Sequence, residues 1–418
     1  MDLRAGPIAI AGAGIAGLTA ALALAQRGFQ VRLFERSDRL EEVGAGLQLS
    51  PNATRLLDRL GVLSILKPIA VRAEAVEIRS ARTLGRLASV PLGEKAVRRW
   101  GAPYLTVHRA DLQSALLAAV KRQPEIDLAT GATVRDAAFH DYGVTLSVDR
   151  DGRIEEFGCK LAIGADGVWS TLRELGRHGR QSRYSGYVAW RAMLPSAQAG
   201  SGTDAALPPN DRVTAWLHAG FHLVAYPVRA GEAINLVAVT RAPELTRRWS
   251  NAADLSMLVA AMGGASPALQ QLVQAADHWT TWPIHEVPPD GAWTAKEGIA
   301  LIGDAAHAMS PYAAQGAAMA IEDAVALAAA LAREPTSLAA ALSLYEQARR
   351  KRVKRVAARG AFNRFTWHAS GPVAFVRDRV LALRKPETLA ADFDWLYGWD
   401  IGDDLPRLET SRPSQTGL

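Results

Sequence analysis

Cysteine is nearly missing from this chain: Cys159 is the single one in 418 residues. One thiol excludes an intramolecular disulfide and any cysteine-rich metal centre, and it agrees with a reducing, cytoplasmic setting. Histidine is sparse at nine residues. His218 and His222 stand four apart, but no third ligand is evident nearby, so no metal site is expected. Long charge-free apolar runs are also lacking. Glu322 and Asp323 interrupt the apolar stretch after Gly316, which excludes a membrane span there. Nor does one sign of charge dominate, with 48 Lys and Arg against 42 Asp and Glu. Much of the excess sits at Arg349, Arg350, Lys351, Arg352, Lys354 and Arg355 on one predicted helix, with no base-stacking aromatics among them. That pattern points to a solvated or subunit-facing helix, compatible with a homodimer, and away from nucleic acid. No internal repeat or low-complexity tract is visible.

What the chain does have is glycine at informative places. Arg4 followed by the apolar run from Ile8 to Ala25 could pass for a signal peptide. Yet Gly12, Gly14 and Gly17 fall at dinucleotide-binding spacing inside that run, and Gln30 to Glu35 continues as a second strand. A strand from Pro7 to Ala11, a helix from Ile15 to Arg27 and a strand ending at Glu35 make a β-α-β unit of about thirty residues. Gly12 permits the tight turn, Gly14 lets backbone approach a pyrophosphate, and Gly17 allows close helix–strand packing. Ile15 and Ala16 open a helix whose free N–H groups face the phosphates. Glu35, 18 residues past Gly17, is placed to hold a ribose.

Two later segments complete the constellation. Asp166-Gly167 follows a short apolar strand, with Ser170 and Arg173 at fixed offsets. Gly303-Asp304-Ala305-Ala306-His307 follows the strand Leu301-Ile302, so Asp304 emerges at a carboxyl edge where open α/β sheets bind ligands. There it can hold a polyol such as a ribityl chain, while Gln315, Gly316 and Ala317 begin a helix suited to the negative charge of a reduced flavin. His307 reads as structural. Together the three regions describe one bound FAD.

Between about Tyr184 and Pro288 the texture changes to short β-rich segments punctuated by glycine and proline. Ile126 to Val148 reads as a hairpin or meander, and Asp254 as the cap of a helix from Leu255 to Met262. After Leu383 the chain looks loose and aromatic (Trp395, Tyr397, Trp399), with a disordered tail from Arg407. The fold class is therefore α/β: a Rossmann-like FAD-binding domain with an inserted antiparallel β-sheet substrate domain and C-terminal helices. The expected boundaries are 1–183 and 289–365 for the FAD-binding domain, 184–288 for the β-rich domain and 366–418 for the helical end.

Further segments match a known family in order and spacing: Gly44-Ala45-Gly46-Leu47-Gln48-Leu49-Ser50-Pro51-Asn52-Ala53, His108-Arg109-Ala110-Asp111-Leu112, Tyr187-Val188-Ala189-Trp190-Arg191 and Gly303 through Asp323. With them the chain resembles the single-component FAD-dependent aromatic hydroxylases of the p-hydroxybenzoate hydroxylase fold. Within these it is similar to the salicylate hydroxylase and 3-hydroxybenzoate 6-hydroxylase branch. The resemblance implies FAD contacts at Gly12, Gly14, Glu35, Arg36, Gln48, Arg109 and Asp304, with Val134 touching near the adenine through its backbone. It implies that the Asp166-Gly167 segment serves both FAD and transient docking of NADH or NADPH. One departure is Ser310-Pro311-Tyr312, where relatives near salicylate hydroxylase often carry a more aliphatic stretch.

The implied chemistry is reduction of FAD by NAD(P)H, addition of O2 at flavin C4a and transfer of the distal oxygen to an electron-rich ring. The substrate would be a small phenolic or N-heteroaromatic acid, or alternatively a secondary-metabolite phenol. Water must be excluded while this happens. Trp190, Trp216 and Tyr226 are candidate apolar walls, the Ser310-Pro311-Tyr312 segment should face the reacting ring, and Pro311 and Gln315 are the catalytic candidates beside it. His222 is the first candidate for the base that ionises a phenol, His218 the second, and Arg191 can pair with a substrate carboxylate. A halogenase or reductase on the same fold is the alternative. Halogenases of this type carry Trp-x-Trp-x-Ile-Pro, whereas this chain has only Trp282-Pro283-Ile284.

Overall fold

The computed structural model describes residues 2–40, 45–176, 180–198, 206–243, 251–252 and 254–404. Ile8–Ala11 is apolar and buried at every position, the pattern of an interior parallel strand. It pairs in parallel with Val31–Phe34 on one side and Leu161–Gly164 on the other. Ile126–Ala129 and Ile299–Leu301 extend the sheet, and Thr294–Ala295 closes one edge antiparallel. The helices Ile15–Ala25 and Gly316–Arg333 pack together above it, which brings two segments some three hundred residues apart to one place.

The expected meander from Ile126 to Val148 is corrected, because Ile126–Ala129 belongs to the parallel sheet. The antiparallel element starts at Ala132, as a separate sheet of Ala132–His140, Gly143–Arg150 and Arg153–Cys159. Alternation alone cannot tell which partner a short strand takes.

The large sheet runs in the order Asn251–Ala252, Thr280–Glu286, Arg183–Pro195, Ala233–Arg241, Phe221–Val228, Arg212–Leu217, Ala75–Ser80, Arg86–Pro91. It is therefore not confined to 184–288: the hairpin 75–91 joins it through a parallel pairing of Ala75–Ser80 with Arg212–Leu217. One face carries Trp190, Trp216, Phe221 and Leu223 and packs with Leu258, Met262, Leu269 and Leu272. These last four come from the helices Leu255–Ala261 and Pro267–Gln274. Asp254 caps the first of them by accepting from the Ser256 N–H at 3.0 Å. The opposite face of the sheet looks onto the FAD-binding domain.

The helix Leu338–Trp367 runs 30 residues, straight across the expected boundary at 365. Its basic stretch is not a solvated surface throughout, because Arg349 and Arg352 are buried. Arg349 donates to Asp323 Oδ1 at 2.8 Å and Glu322 Oε2 at 2.7 Å, and Arg352 donates to both Glu322 oxygens at 2.6 and 2.7 Å. The aromatic end is not loose either. Tyr397 and Trp399 are buried, and both arginines lie over the Trp399 ring. The tail from Arg407 lies outside the described residues. Among the described residues no helix is long and apolar enough to cross a membrane, and no His, Cys, Asp and Glu cluster could hold a metal ion.

Candidate active site

One cleft of about 390 Å³ runs between the two sheets, within the range of small-molecule sites. Its floor is the glycine turn. Gly12 has φ +100°, and a Cβ there would stand 2.6 Å from the Ala165 carbonyl oxygen; one on Gly17 would stand 1.8 Å from that of Gly12. Those two glycines are needed for the turn itself. Gly14 differs, because nothing lies within 4 Å of where its Cβ would be. The space over Gly14 is open for a ligand, and Gly14, Ile15 and Ala16 line the cleft.

Glu35 closes the turn from the side, its carboxylate accepting from the Ala13 N–H at 2.8 Å and the Ser37 N–H at 2.9 Å. Arg36 beside it is exposed. Val134 is buried, and two residues before it the Ala132 N–H donates to the Glu35 carbonyl at 2.8 Å, which ties the start of that strand to Glu35 beside the glycine turn; neither Glu35 nor Val134 lines the cleft itself. Gln48 and Arg109 line the cleft, with Gln48 Oε1 accepting from the Tyr104 hydroxyl at 2.7 Å.

The second glycine segment is held mainly by its own side chains. Asp166 Oδ2 accepts from the Leu172 N–H at 3.2 Å, while Oδ1 is buried without a partner among the described residues. Burial raises the Asp166 pKa against the hydrogen bonds from Ser170 and nearby backbone. Ser170 caps the next helix by accepting from the Arg173 N–H at 3.0 Å. The Arg173 guanidinium then donates to the carbonyls of Ala305 at 2.9 Å and Val168 at 2.5 Å. That clasp ties the Asp166-Gly167 loop to the segment after Asp304, which explains the spacing of Ser170 and Arg173.

Asp304 lines the cleft and is exposed to it. Its position is set from below, since the Gly303 N–H and His307 Nε2 both meet Asp323 Oδ2, at 2.9 and 2.6 Å. Burial pushes the Asp323 carboxyl up, but the charges and hydrogen bonds of His307 and Arg349 outweigh it and hold it down at about 2. His307 is thus structural. Gly316 and Ala317 line the cleft at the start of their helix. The Gln315 side chain does not: it is buried, donates to Ser50 Oγ at 2.9 Å and accepts from Asn52 Nδ2 at 3.2 Å. Gln315 fixes the helix start on the 50–52 turn, and its catalytic assignment is corrected accordingly.

Open space over Gly14, the cleft-facing Asp304 carboxylate, the unpartnered Asp166 Oδ1 and the helix N-terminus at Gly316 are the features that would hold FAD.

Strand alternation sorts the substrate candidates. Arg191, His222 and Tyr226 line the cleft with Val224, Val237 and Val239. Trp190 and Trp216 point to the other face, Trp190 donating to Thr240 Oγ1 at 2.8 Å, so neither is a cleft wall. His218 is also outside. Its Nδ1 accepts from the Gly220 N–H at 3.2 Å within the hairpin turn, and it packs on Phe221. Register aligns Arg191 with Val237 and Val237 with Val224, which sets Arg191 level with the middle of the His222–Tyr226 row.

His222 is buried, with its ring 5.0 Å from those of Tyr312 and Trp367. Its Nδ1 lies 3.1 Å from His368 Nε2, and the Tyr312 hydroxyl lies 3.4 Å from that same nitrogen. Burial and then His368 lower the His222 pKa well below the ordinary histidine value. Pro311 and Tyr312 form a short 3₁₀ turn along the cleft, and Asn363 donates to the Tyr312 carbonyl at 2.9 Å. Sequence reasoning missed Trp367, Asn363, His368, Tyr104 and Tyr397. They lie in the last turns of a helix and in two remote segments, where no motif marks them.

Burial holds the His368 pKa down at about 4, against an ordinary value near 6.5. Below about pH 6.5 the unfolded chain therefore binds a proton that the folded chain refuses. The contribution of this neutral site to stability is complete above that pH and is lost as pH falls toward about 4. Urea midpoints measured across this window should fall more steeply for the wild type than for His368→Phe. Equal slopes would refute the assignment.

The sequence profile of the family described as "FAD binding domain" matches residues 6–360. Over 407 residues the chain is 32% identical to the 3-hydroxybenzoate 6-hydroxylase of Polaromonas naphthalenivorans, covering 96% of this chain and 98% of that protein. It is 34% identical over 409 residues to the 6-hydroxynicotinate 3-monooxygenase of Bordetella bronchiseptica, covering 94% and 95%. A solved salicylate hydroxylase substrate complex superposes with a TM-score of 0.78 at 25% identity, covering 96% of this chain and 97% of that one.

Proposed function

The chain belongs to the FAD-dependent aromatic hydroxylases, and from that premise we propose that it uses NAD(P)H and O2 to hydroxylate a small phenolic or N-heteroaromatic acid. The observation that carries this is the shared cleft, with a dinucleotide turn at one end and His222, Tyr226 and Arg191 on the sheet above it. FAD, when bound, accepts electrons from NAD(P)H and activates O2 for transfer to the ring.

The protein's own residues do the rest. Arg191, against the Trp282 ring at 4.5 Å, supplies positive charge to a substrate carboxylate. It stands close enough to Tyr226 to oppose the upward push of burial on that phenol. Tyr226 stays protonated and can donate a hydrogen bond. His222, neutral and on the same strand face, accepts the proton of a substrate hydroxyl and makes the ring more electron-rich. Val224, Val237, Val239 and Trp367 wall the space and keep water from it.

A panel of hydroxybenzoates and hydroxypyridine carboxylates, scored for NAD(P)H oxidation and peroxide together, tests the proposal. One member at least should accelerate oxidation with little peroxide; no acceleration by any would count against it. Replacing His222 with Ala should lower product per NAD(P)H by tenfold or more, on the order expected for a lost general base, with peroxide rising to match. An unchanged ratio would remove His222 from the mechanism.

The same reading includes a cytoplasmic location, in keeping with the use of NAD(P)H. It also includes a homodimer, supported by the exposed Phe362, Phe365, Phe375 and Val376 near the chain's end rather than by the buried arginines. Sedimentation of the holoprotein should give twice the chain mass, and a monomer at micromolar concentration would exclude the dimer.

A further inference from the structure

We propose that His368 is a positioning residue that fixes the tautomer of His222, leaving His222 Nε2 as the bare, proton-accepting atom toward the cleft. The inference rests on the reading of His222 as the base and adds the reason that the base has the right nitrogen free.

His368 caps the C-terminal end of the helix Leu338–Trp367. Its Nε2 meets two candidate donors, His222 Nδ1 at 3.1 Å and the Tyr312 hydroxyl at 3.4 Å. The ring also bonds the backbone of Ala219, and that contact favours the charged imidazole. A backbone partner acts in that sense only as a carbonyl acceptor, so His368 donates to it. With Nε2 turned to His222 and Tyr312, the donating nitrogen is Nδ1. A neutral imidazole carries one N–H and one lone pair. His368 is neutral above its lowered pKa of about 4, so its Nε2 offers only a lone pair.

Two ring nitrogens at 3.1 Å cannot both be acceptors. His222 therefore keeps its proton on Nδ1 and donates it to His368, and the Tyr312 hydroxyl shares the same lone pair. The opposite nitrogen, His222 Nε2, makes no hydrogen bond to any described residue, and His222 lines the cleft. An orienting group that sets which imidazole nitrogen is basic is a recurring device in acid–base sites. Here the orienter is a second histidine, held by a carbonyl at the 218–221 hairpin turn. The chain Ala219 carbonyl, His368, His222, cleft runs in one direction only: each ring donates outward and accepts inward.

Long-range ¹H–¹⁵N correlation of histidine-labelled holoprotein at neutral pH reads this without turnover. His222 should show a protonated Nδ1 and a pyridine-like Nε2, and the reverse pattern in the wild type would overturn the proposal. In His368→Phe, which keeps a ring but offers no lone pair, His222 should lose that tautomer preference, and kcat for hydroxylation should fall by tenfold or more with KM within about twofold. His368→Gln, whose side-chain carbonyl can still accept, should restore most of both. An unchanged His222 spectrum in His368→Phe would also overturn the assignment. His222→Ala, measured beside them, separates the two levels: an unchanged product-to-peroxide ratio there rejects the base, whereas the spectra alone decide the orienter.

Discussion

Replacing Arg349 with leucine is expected to lower the unfolding free energy of the holoprotein by about 3–5 kcal/mol, the usual cost of removing one partner from a buried ion pair. Arg349 is 0% exposed and bridges Glu322 and Asp323, themselves fully buried. Without it Asp323 keeps only His307 and the Gly303 N–H, and Glu322 keeps Arg352 and Asn52. A leucine fills much of the space but leaves negative charge uncompensated in a low-dielectric interior. The same network positions Gly303 and the Ser50–Gln315 contacts, so flavin affinity should fall along with stability. Lys354→Ala, on the exposed side of the same helix, should stay within about 0.5 kcal/mol of wild type. Denaturant midpoints of the two variants check this, and a similar small effect at both positions would refute a buried ionic centre.

Asp304→Ala should do the opposite: spare the fold and lose the flavin. The Asp304 side chain faces the cleft, while the turn beneath it is fixed by Gly303, at φ +59°, and by its N–H donated to Asp323. Deleting the carboxylate removes hydrogen bonds to a polyol worth about 1.5–3 kcal/mol when one partner is charged. The FAD dissociation constant should rise on the order of 10- to 100-fold. Flavin fluorescence titration reads it directly. A protein that unfolds at the midpoint of the wild-type apoprotein but emerges colourless after dilution is the expected result, and full occupancy at the same dilution would sink the role of Asp304.

The parts legible in the sequence are those whose chemistry needs a residue type at a local spacing. Gly12 and Gly17 are required by backbone approaches that would put a Cβ within 2.6 Å of another atom, and a spacing rule captures that. The place of Asp304 at the cleft was legible because the end of a parallel strand opens onto the crevice of an α/β sheet. Glu322 and Asp323 were visible only as charges that break an apolar run; that they form a buried centre with Arg349 and Arg352 depends on a helix arriving from elsewhere. Trp190 and Trp216 were misplaced for a different reason. Large aromatics look like cavity walls, but which face of a strand meets the cleft is set by register, and register is tertiary. His222 faces the cleft by the same rule that turns Trp216 away. His368 left no local signal, since a helix C-cap histidine is common and its partner lies 146 residues earlier in the chain.

Incorporation of ¹⁸O from labelled O2 is the most direct measure of the central claim, that this cleft joins FAD to oxygen transfer onto an aromatic ring. FAD-loaded protein given NAD(P)H, labelled O2 and the acid that best stimulates oxidation should yield a product heavier by one labelled oxygen, near one equivalent per NAD(P)H. Oxidation that ends in peroxide for every acid, with no labelled aromatic product, would contradict it.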